Sequence, residues 1–384
     1  MNSYGRQNIS EADIDSVVAV LRSDFLTQGP KVPEFEESIC ALVGCNYGIA
    51  MNSATSALHA ACLALELGPG DLLWTTPNTF VASANCALYC GGSVDFIDID
   101  IETFNIDLAA LEEKLKKAEA VGALPKIVVP VHFGGNPCDM ARLSALGRQY
   151  GFKIIEDASH AVGGSYDGHP IGNCRFSDIT IFSFHPVKII TSGEGGLALT
   201  NDQILAKRLR AIRSHGVTRD PDDIGEVLDR QWYYEQQSLG FNYRMNDIEA
   251  ALGLSQLNQL PCFIEQRNQL AKTYQSELAS STVSQQVVGQ NDVSAWHLFV
   301  VRLTDCGEAQ RNVIFNHMRN AGIGVNIHYI PVHLQPYYAE LGFSLGDFPT
   351  VEQYYNQCIT LPLHPGLTTT DIQFISRTLR ELLP

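Results

Sequence analysis

A repeating alternation of short apolar runs with helical stretches constrains this chain more than any other feature. Residues 47–51 are short and apolar, 54–67 have helical periodicity, and Gly68-Pro69-Gly70-Asp71 is a turn. The unit recurs. Residues 72–75, 93–97, 126–131, 153–156 and 179–182 read as buried strands, with helical stretches at 81–88, 108–118 and 140–150 between many of them. This rhythm predicts an α/β fold, a mainly parallel sheet covered by helices. In such sheets ligands settle beyond the carboxyl ends of the strands, so strand-to-helix junctions carry the functional information.

The flanks are different. Residues 11–22 predict an entry helix, followed by a loop at Leu26-Thr27-Gln28-Gly29-Pro30, where the Gly-Pro step stops regular structure. After a helix at 247–260 the pattern changes to a long amphipathic helix at 266–278, a strand at 295–303, a helix at 309–321 and a strand at 324–329. That predicts two domains: an N-terminal segment with a large domain over 1–257, and a smaller C-terminal α+β domain over 258–384. There is no internal repeat or low-complexity tract.

Charge and cysteine content narrow the function. The 384 residues carry 42 acidic against 26 basic side chains, a formal charge of -16, with no basic run. Nucleic-acid binding is excluded on that ground, and any anionic ligand must be held by local geometry. The ten cysteines lie apart, with no C-x-x-C pair and no zinc-ligand spacing, so they read as reduced and no metal site is expected. Residues 1–10 lack the apolar core of a signal peptide, and no apolar run reaches membrane-spanning length. The expectation is a cytoplasmic protein without a membrane partner.

Four junctions carry chemistry. Asn52-Ser53-Ala54-Thr55-Ser56-Ala57 lies where the first strand turns into a helix, so first-turn amides and hydroxyls converge as in a phosphate site; equally, Ser53 or Thr55 could simply cap the helix. Glu156-Asp157-Ala158-Ser159-His160 puts an acid at the carboxyl end of a buried strand, where it needs a cation or several donors. A protonated pyridine nitrogen is such a cation; an N-cap is the plain alternative. Ser183-Phe184-His185-Pro186-Val187-Lys188 leads into Gly193-Glu194-Gly195-Gly196, setting Lys188 in mostly apolar or small surroundings that lower an amine's pKa and make it nucleophilic, with Ser183 offering another phosphate hydroxyl. Pro77-Asn78-Thr79-Phe80 ends the second strand and offers either an aromatic face for a ring or a core phenylalanine.

In this order, and with Gly240-Phe241-Asn242-Tyr243-Arg244 before the 247–260 helix, these motifs resemble the DegT-type sugar aminotransferases, a branch of the fold-type-I enzymes that use pyridoxal phosphate (PLP). The resemblance covers essentially the whole chain. It implies a large α/β/α domain with a mainly parallel mixed sheet and a smaller C-terminal α+β domain. It makes Lys188 the Schiff-base lysine, Asp157 the partner of the pyridine nitrogen, and His160 a neighbour of the cofactor's phenolic oxygen. Phe80 matches the ring-stacking aromatic, and Ser53, Ala54, Thr55 and Ser183 the phosphate site. Asn242 would reach the phosphate of the neighbouring subunit's cofactor, which implies a homodimer with shared active sites.

Within the family, residues 26–30, 183–188 and 327–332 look most like the 4-aminotransferases of pseudaminic-acid biosynthesis, which take the amino group of L-glutamate to C4 of a UDP-linked 4-keto-6-deoxy-N-acetyl-hexosamine. Tyr4, Arg6, Gln28, His185, His328 and Tyr329 are then candidates for contacts with the sugar nucleotide. Related enzymes aminate other nucleotide-linked keto sugars on the same scaffold. Family dehydratases, which use pyridoxamine phosphate (PMP), carry histidine at the lysine position, so Lys188 argues against that chemistry. The retained lysine, aspartate and phosphate residues argue against a non-catalytic regulator, and no cysteine sits where a desulfurase would need one.

Overall fold

A computed structural model describes residues 3–224, 232–279 and 282–383. Helix α1 (Glu11–Leu21) starts at Ser10, which exchanges capping hydrogen bonds with Asp13. Asp13 is fully buried and also accepts from Gln256, so the entry helix is tied to a helix more than two hundred residues away. Helix α2 (Lys31–Val43) occupies a stretch to which the sequence pattern assigns no element, and Gly44 ends it in the left-handed region (φ 76°).

The α/β rhythm is then realised as β1 (Tyr47–Met51), α3 (Ala54–Ala64), β2 (Leu72–Thr75), α4 (Ala82–Tyr89), β3 (Ser93–Phe96), α5 (Leu108–Val121), β4 (Ile127–Val129), α6 (Met140–Tyr150), β5 (Lys153–Asp157), β6 (Ile179–Ser183), β7 (Gly196–Thr200) and α7 (Gln203–Arg213). The seven strands form one sheet in the order β1-β7-β6-β5-β4-β2-β3. Strands β2 to β6 pair in parallel, whereas β7 runs antiparallel between β6 and β1. The loop from β6 to β7 holds no crossover helix, and a strand that follows without one must reverse direction. Residues 196–200 escape a sequence reading because Gly193, Gly195 and Gly196 at their start read as a turn.

Both faces of the sheet are covered, which is why its strands are apolar in almost every position. Ile179 and Ile181 of β6 and Ala198 of β7 face the core shared with α3, α4 and α7. Their neighbours Phe182, Leu197 and Leu199 face a second core with α2. The antiparallel β7 places Gly196 opposite both Met51 and Ser183, so the carboxyl ends of β1 and β6 meet at one edge.

Helices α8 (Asp247–Leu257) and α9 (Leu260–Leu278) lead into a three-stranded antiparallel sheet of β8 (Val283–Gln285), β9 (Phe299–Leu303) and β10 (Cys358–Leu361), with α10 (Glu308–Asn320) before β10 and α11 (Thr369–Leu382) after it. This part has its own core of residues such as Tyr274, Phe299, Met318, Leu361 and Ile375. Helix α9 begins at Leu260 rather than near 266, with Pro261 in its first turn, where a missing N–H costs nothing. The strand expected at 324–329 does not form. Only Asn326 bridges to Thr360, because the Asn326 carboxamide takes the Ile327 N–H (2.9 Å) and His328 bonds the Thr360 hydroxyl (2.8 Å), so side chains replace the ladder. Among the described residues no helix is long and apolar enough to cross a membrane.

Candidate active site

A cavity of about 450 Å³ opens where the carboxyl ends of β1, β5 and β6 converge, under a roof formed by residues 326–329 and Tyr4. At one end is the β1-to-α3 junction. Ser53 is the N-cap of α3 and its hydroxyl accepts the Ser56 N–H (3.1 Å), so the capping reading of this serine holds. The first-turn amides of Ala54 and Thr55 have no intrahelical acceptor, and both residues line the cavity with Ser53 and Ser183. This is the geometry of an anion site.

Glycine is required beside it. A Cβ on Gly196 would stand 2.4 Å from the Ala54 nitrogen, and one on Gly195 would stand 2.5 Å from Met245 Cε. Only bare backbone lets the start of β7 lie against the helix terminus.

The two acids at the end of β5 divide by strand alternation. Glu156 is satisfied inside the protein by His132 (2.7 Å), Ser177 (2.8 Å) and Thr180 (2.9 Å) and takes no part in the cavity. Asp157 lines the cavity, although it is only 4% exposed. Its carboxylate accepts from Ser83 Oγ at 2.6 Å and from the Ser159 N–H at 3.0 Å. Because the Ser83 proton is spent on Asp157, the neighbouring Thr79 hydroxyl (2.8 Å) must donate to Ser83. The Ser83 hydroxyl and the Ser159 amide are thus the two donors that orient this carboxylate, with Thr79 behind Ser83.

Lys188 lies half-buried in the loop between β6 and β7 and lines the same cavity. Burial pushes its ammonium down to about 8, against the opposing pull of Asp157. An amine poised there is both a nucleophile and a proton carrier near neutral pH. His160 is buried and neutral, because burial and then the charge of Lys188 press its pKa well below the ordinary imidazole value.

In the roof, His328 is lowered to about 3 by burial and by Lys188, and its ring packs 5.0 Å from Tyr4. Tyr329 reaches His160 with its hydroxyl (3.3 Å), and burial raises its pKa. Phe80 is 59% exposed at the rim, its ring 6.4 Å from that of Tyr329.

Of the residues singled out in the sequence, Tyr4, Ser53, Ala54, Thr55, Phe80, Asp157, His160, Ser183, His185, Lys188, His328 and Tyr329 line one cavity. Arg6, Gln28 and Asn242 do not; all three are exposed. Thr79, Ser83, Ser159, Glu194 and Asn326 line it as well and carry no prior assignment. No local signal pairs Thr79 with Ser83, because Thr79 precedes α4 and Ser83 lies inside it. Among the described residues no group of His, Cys, Asp or Glu could hold a metal ion, and all ten cysteines are free thiols.

The sequence profile of the DegT/DnrJ/EryC1/StrS aminotransferase family matches residues 7–380. The chain belongs to this family. A UDP-4-amino-4,6-dideoxy-N-acetyl-beta-L-altrosamine transaminase of Campylobacter jejuni is 36% identical over 387 residues, 100% of this chain and 98% of that one. The putative sugar aminotransferase Spr1654 of Streptococcus pneumoniae, solved in its PMP form, superposes with a TM-score of 0.90 at 30% identity, covering 99% of this chain and 98% of that one. Helicobacter pylori PseC, an aminotransferase involved in the biosynthesis of pseudoaminic acid, gives 0.89 at 29% identity over 99% and 98%. This DegT-family aminotransferase is therefore a PLP-dependent sugar aminotransferase of fold type I. The groups in its cavity suit the cofactor: amides for a phosphate, a buried carboxylate for a ring nitrogen, and an amine of lowered pKa for an aldehyde.

Proposed function

We propose that this DegT-family aminotransferase moves the amino group of L-glutamate to C4 of a UDP-linked 4-keto-6-deoxy-N-acetyl-hexosamine, as in pseudaminic-acid biosynthesis. What carries the reading is one cavity in which Lys188, the buried Asp157 and the α3 terminus stand together under His328 and Tyr329. The full-length similarity to the Campylobacter transaminase and to PseC supports the substrate class.

Pyridoxal phosphate supplies, when bound, an electron-withdrawing ring and an aldehyde through which an amino group is exchanged. The Ala54 and Thr55 amides, with the Ser53 and Ser183 hydroxyls, hold its phosphate, and Phe80 covers a ring face. Asp157, oriented by the Ser83 hydroxyl and the Ser159 amide, would pair with the ring nitrogen. Lys188 would anchor the cofactor; its amine, once freed by the donor, would carry the proton from the donor's Cα to the cofactor's C4′ carbon and, in the second half-reaction, from that carbon to C4 of the sugar. Tyr4, His185, His328 and Tyr329 surround the acceptor. Asn242, exposed in a single subunit, would reach the cofactor phosphate of the neighbouring subunit in a homodimer, and Arg6 and Gln28, also exposed, would contact the sugar nucleotide.

Incubating the protein with PLP, L-glutamate and a panel of UDP-4-keto sugars, and following product mass, tests this reading. The expected product is a 4-amino sugar nucleotide with release of 2-oxoglutarate. Amination only of a differently linked keto sugar would move the substrate assignment elsewhere in the family, and activity on small amino acids alone would defeat it. For the shared site, mixing Lys188→Ala subunits with Asn242→Asp subunits should restore activity in mixed dimers.

A further inference from the structure

His160 is locked by its surroundings. Its Nδ1 accepts the Gly134 N–H at 3.3 Å, so that nitrogen carries no proton. The single proton of the neutral ring then sits on Nε2, 3.3 Å from the Tyr329 hydroxyl oxygen. That oxygen accepts, which leaves the tyrosine's own proton free to point into the cavity it lines. Protonating His160 would set one N–H against another at Gly134.

One face of this imidazole is covered by a second one. The rings of His160 and His297 lie 4.4 Å apart at 44°, and His297 is 4% exposed. His297 Nδ1 has no hydrogen-bond partner among the described residues, an unusual loss for a buried polar atom, so this atom does not fix the ring. Packing fixes it instead. The preceding Trp296 is held at φ 46°, a strained value for a bulky residue, by Ser294 at its N–H (3.1 Å) and by the buried Arg267 at its carbonyl (3.0 Å). On either side, Ala295 and Leu298 donate to the carbonyls of Gly135 and Gly134, the same turn that sets His160. A Cβ on Gly135 would stand 2.9 Å from the His160 carbonyl oxygen and 2.8 Å from the Trp296 nitrogen.

We propose that His297 is a positioning residue: its ring keeps water from His160 and holds it as the neutral Nε2–H tautomer, so that Tyr329 faces the bound cofactor and substrate as a hydrogen-bond donor. This deepens the reading of the cavity given above and rests on it. The other groups that bear on His160 work in the same sense. Lys188, His328 and His132 disfavour a charge on it, and His297 is itself held neutral by burial and by His160, Lys188, Arg267 and His328. Of the nearby carboxylates, Glu156 is spent on His132, while Asp157 is occupied by Ser83 and Ser159.

The test is a pH titration of the full chain with 15N-labelled histidine, read by long-range 1H–15N spectra before and after adding PLP, with His160 assigned through His160→Gln. In the unsubstituted protein His160 should show a protonated Nε2 and a bare Nδ1, with no titration near about pH 6.5, the value of a free histidine. His297→Asn, which admits water, should let His160 titrate, with a rise of at least about one pH unit. His297→Phe, which keeps a flat ring, should preserve the tautomer. The pH profile of the bound cofactor's absorbance should move in the asparagine variant alone.

A His160 protonated on Nδ1, or charged at neutral pH, overturns the proposal even if a variant fails to fold. So do asparagine and phenylalanine variants that behave alike. A failed reading of the cavity would look different: no cofactor absorbance in the unsubstituted protein.

Discussion

The floor of the cavity, at the ends of β5 and β6, and its roof, residues 326–329 with Tyr4, hold polar groups out of water by different means. On the floor the backbone does most of it. Asp157 is fixed through its own N–H to Pro130 and its carbonyl to His132, and its carboxylate needs only Ser83 and Ser159 to complete its shell. In the roof no ladder exists. His328 is held by the Thr360 hydroxyl, its carbonyl by Tyr354 (2.7 Å), and Tyr4 by a single backbone bond to Leu363 and the face of His328. A floor built on a buried sheet suits chemistry common to both half-reactions. A roof assembled from side chains of distant segments can change its sugar without disturbing that chemistry.

The sharpest way to break this division is Lys188→Ala, which removes anchor and proton carrier together. Turnover should fall by three orders of magnitude or more, since acid–base catalysis alone is worth about 10²–10⁴; donor-dependent bleaching of the cofactor absorbance at near-normal rate would refute the floor assignment. Next is Asp157→Asn, which leaves the ring nitrogen without a charged partner. A cost of about 3 kcal/mol, or roughly a hundredfold, should appear in both half-reactions by stopped-flow absorbance.

A roof change should behave otherwise. His328→Asn is expected to raise the KM for the sugar nucleotide about tenfold while sparing the amino-donor half-reaction; equal losses in both would erase the distinction between floor and roof. The pH dependence of cofactor capture by cofactor-free protein has a definite sign. Lys188 reacts as the neutral amine, so with its pKa at about 8 the capture rate should climb about tenfold from pH 7 and level off above about 8, rather than keep rising towards 10. The smallest effect is Ser83→Ala, which strips one donor from Asp157 at about 1 kcal/mol, several-fold in PLP affinity by titration, with Ser83→Thr restoring it.

Much of the floor can be read from the chain because each piece is local. An apolar run followed by a polar turn places Asp157 and Ser183 at strand ends, and Lys188 in the loop after β6, without knowledge of anything else. The same logic finds Ser53 to Thr55 at the start of α3. Ser83 and Glu194 escape, since nothing in their own neighbourhoods says that they face Asp157 or the cavity. Asn326 and His297 escape for a further reason: 324–329 has the composition of a strand, and the segment before β9 is bent at Trp296, where no glycine announces a left-handed turn. The antiparallel β7 was hidden by the glycines at its start, of which Gly196 serves close approach to α3.

The sequence by itself therefore determined the α/β frame, the cofactor-type motifs and the family resemblance, because periodicity, turns and junctions depend on residues a few positions apart. Only the tertiary structure decided that Glu156 turns inward while Asp157 meets Ser83. It alone brought residues 326–329 over Lys188, and it alone stacked His297 on His160. Those contacts join residues far apart in the chain, Asp157 and Ser83 by 74 positions, and their energy comes from burial and hydrogen bonding across the fold, to which no local pattern in the chain corresponds.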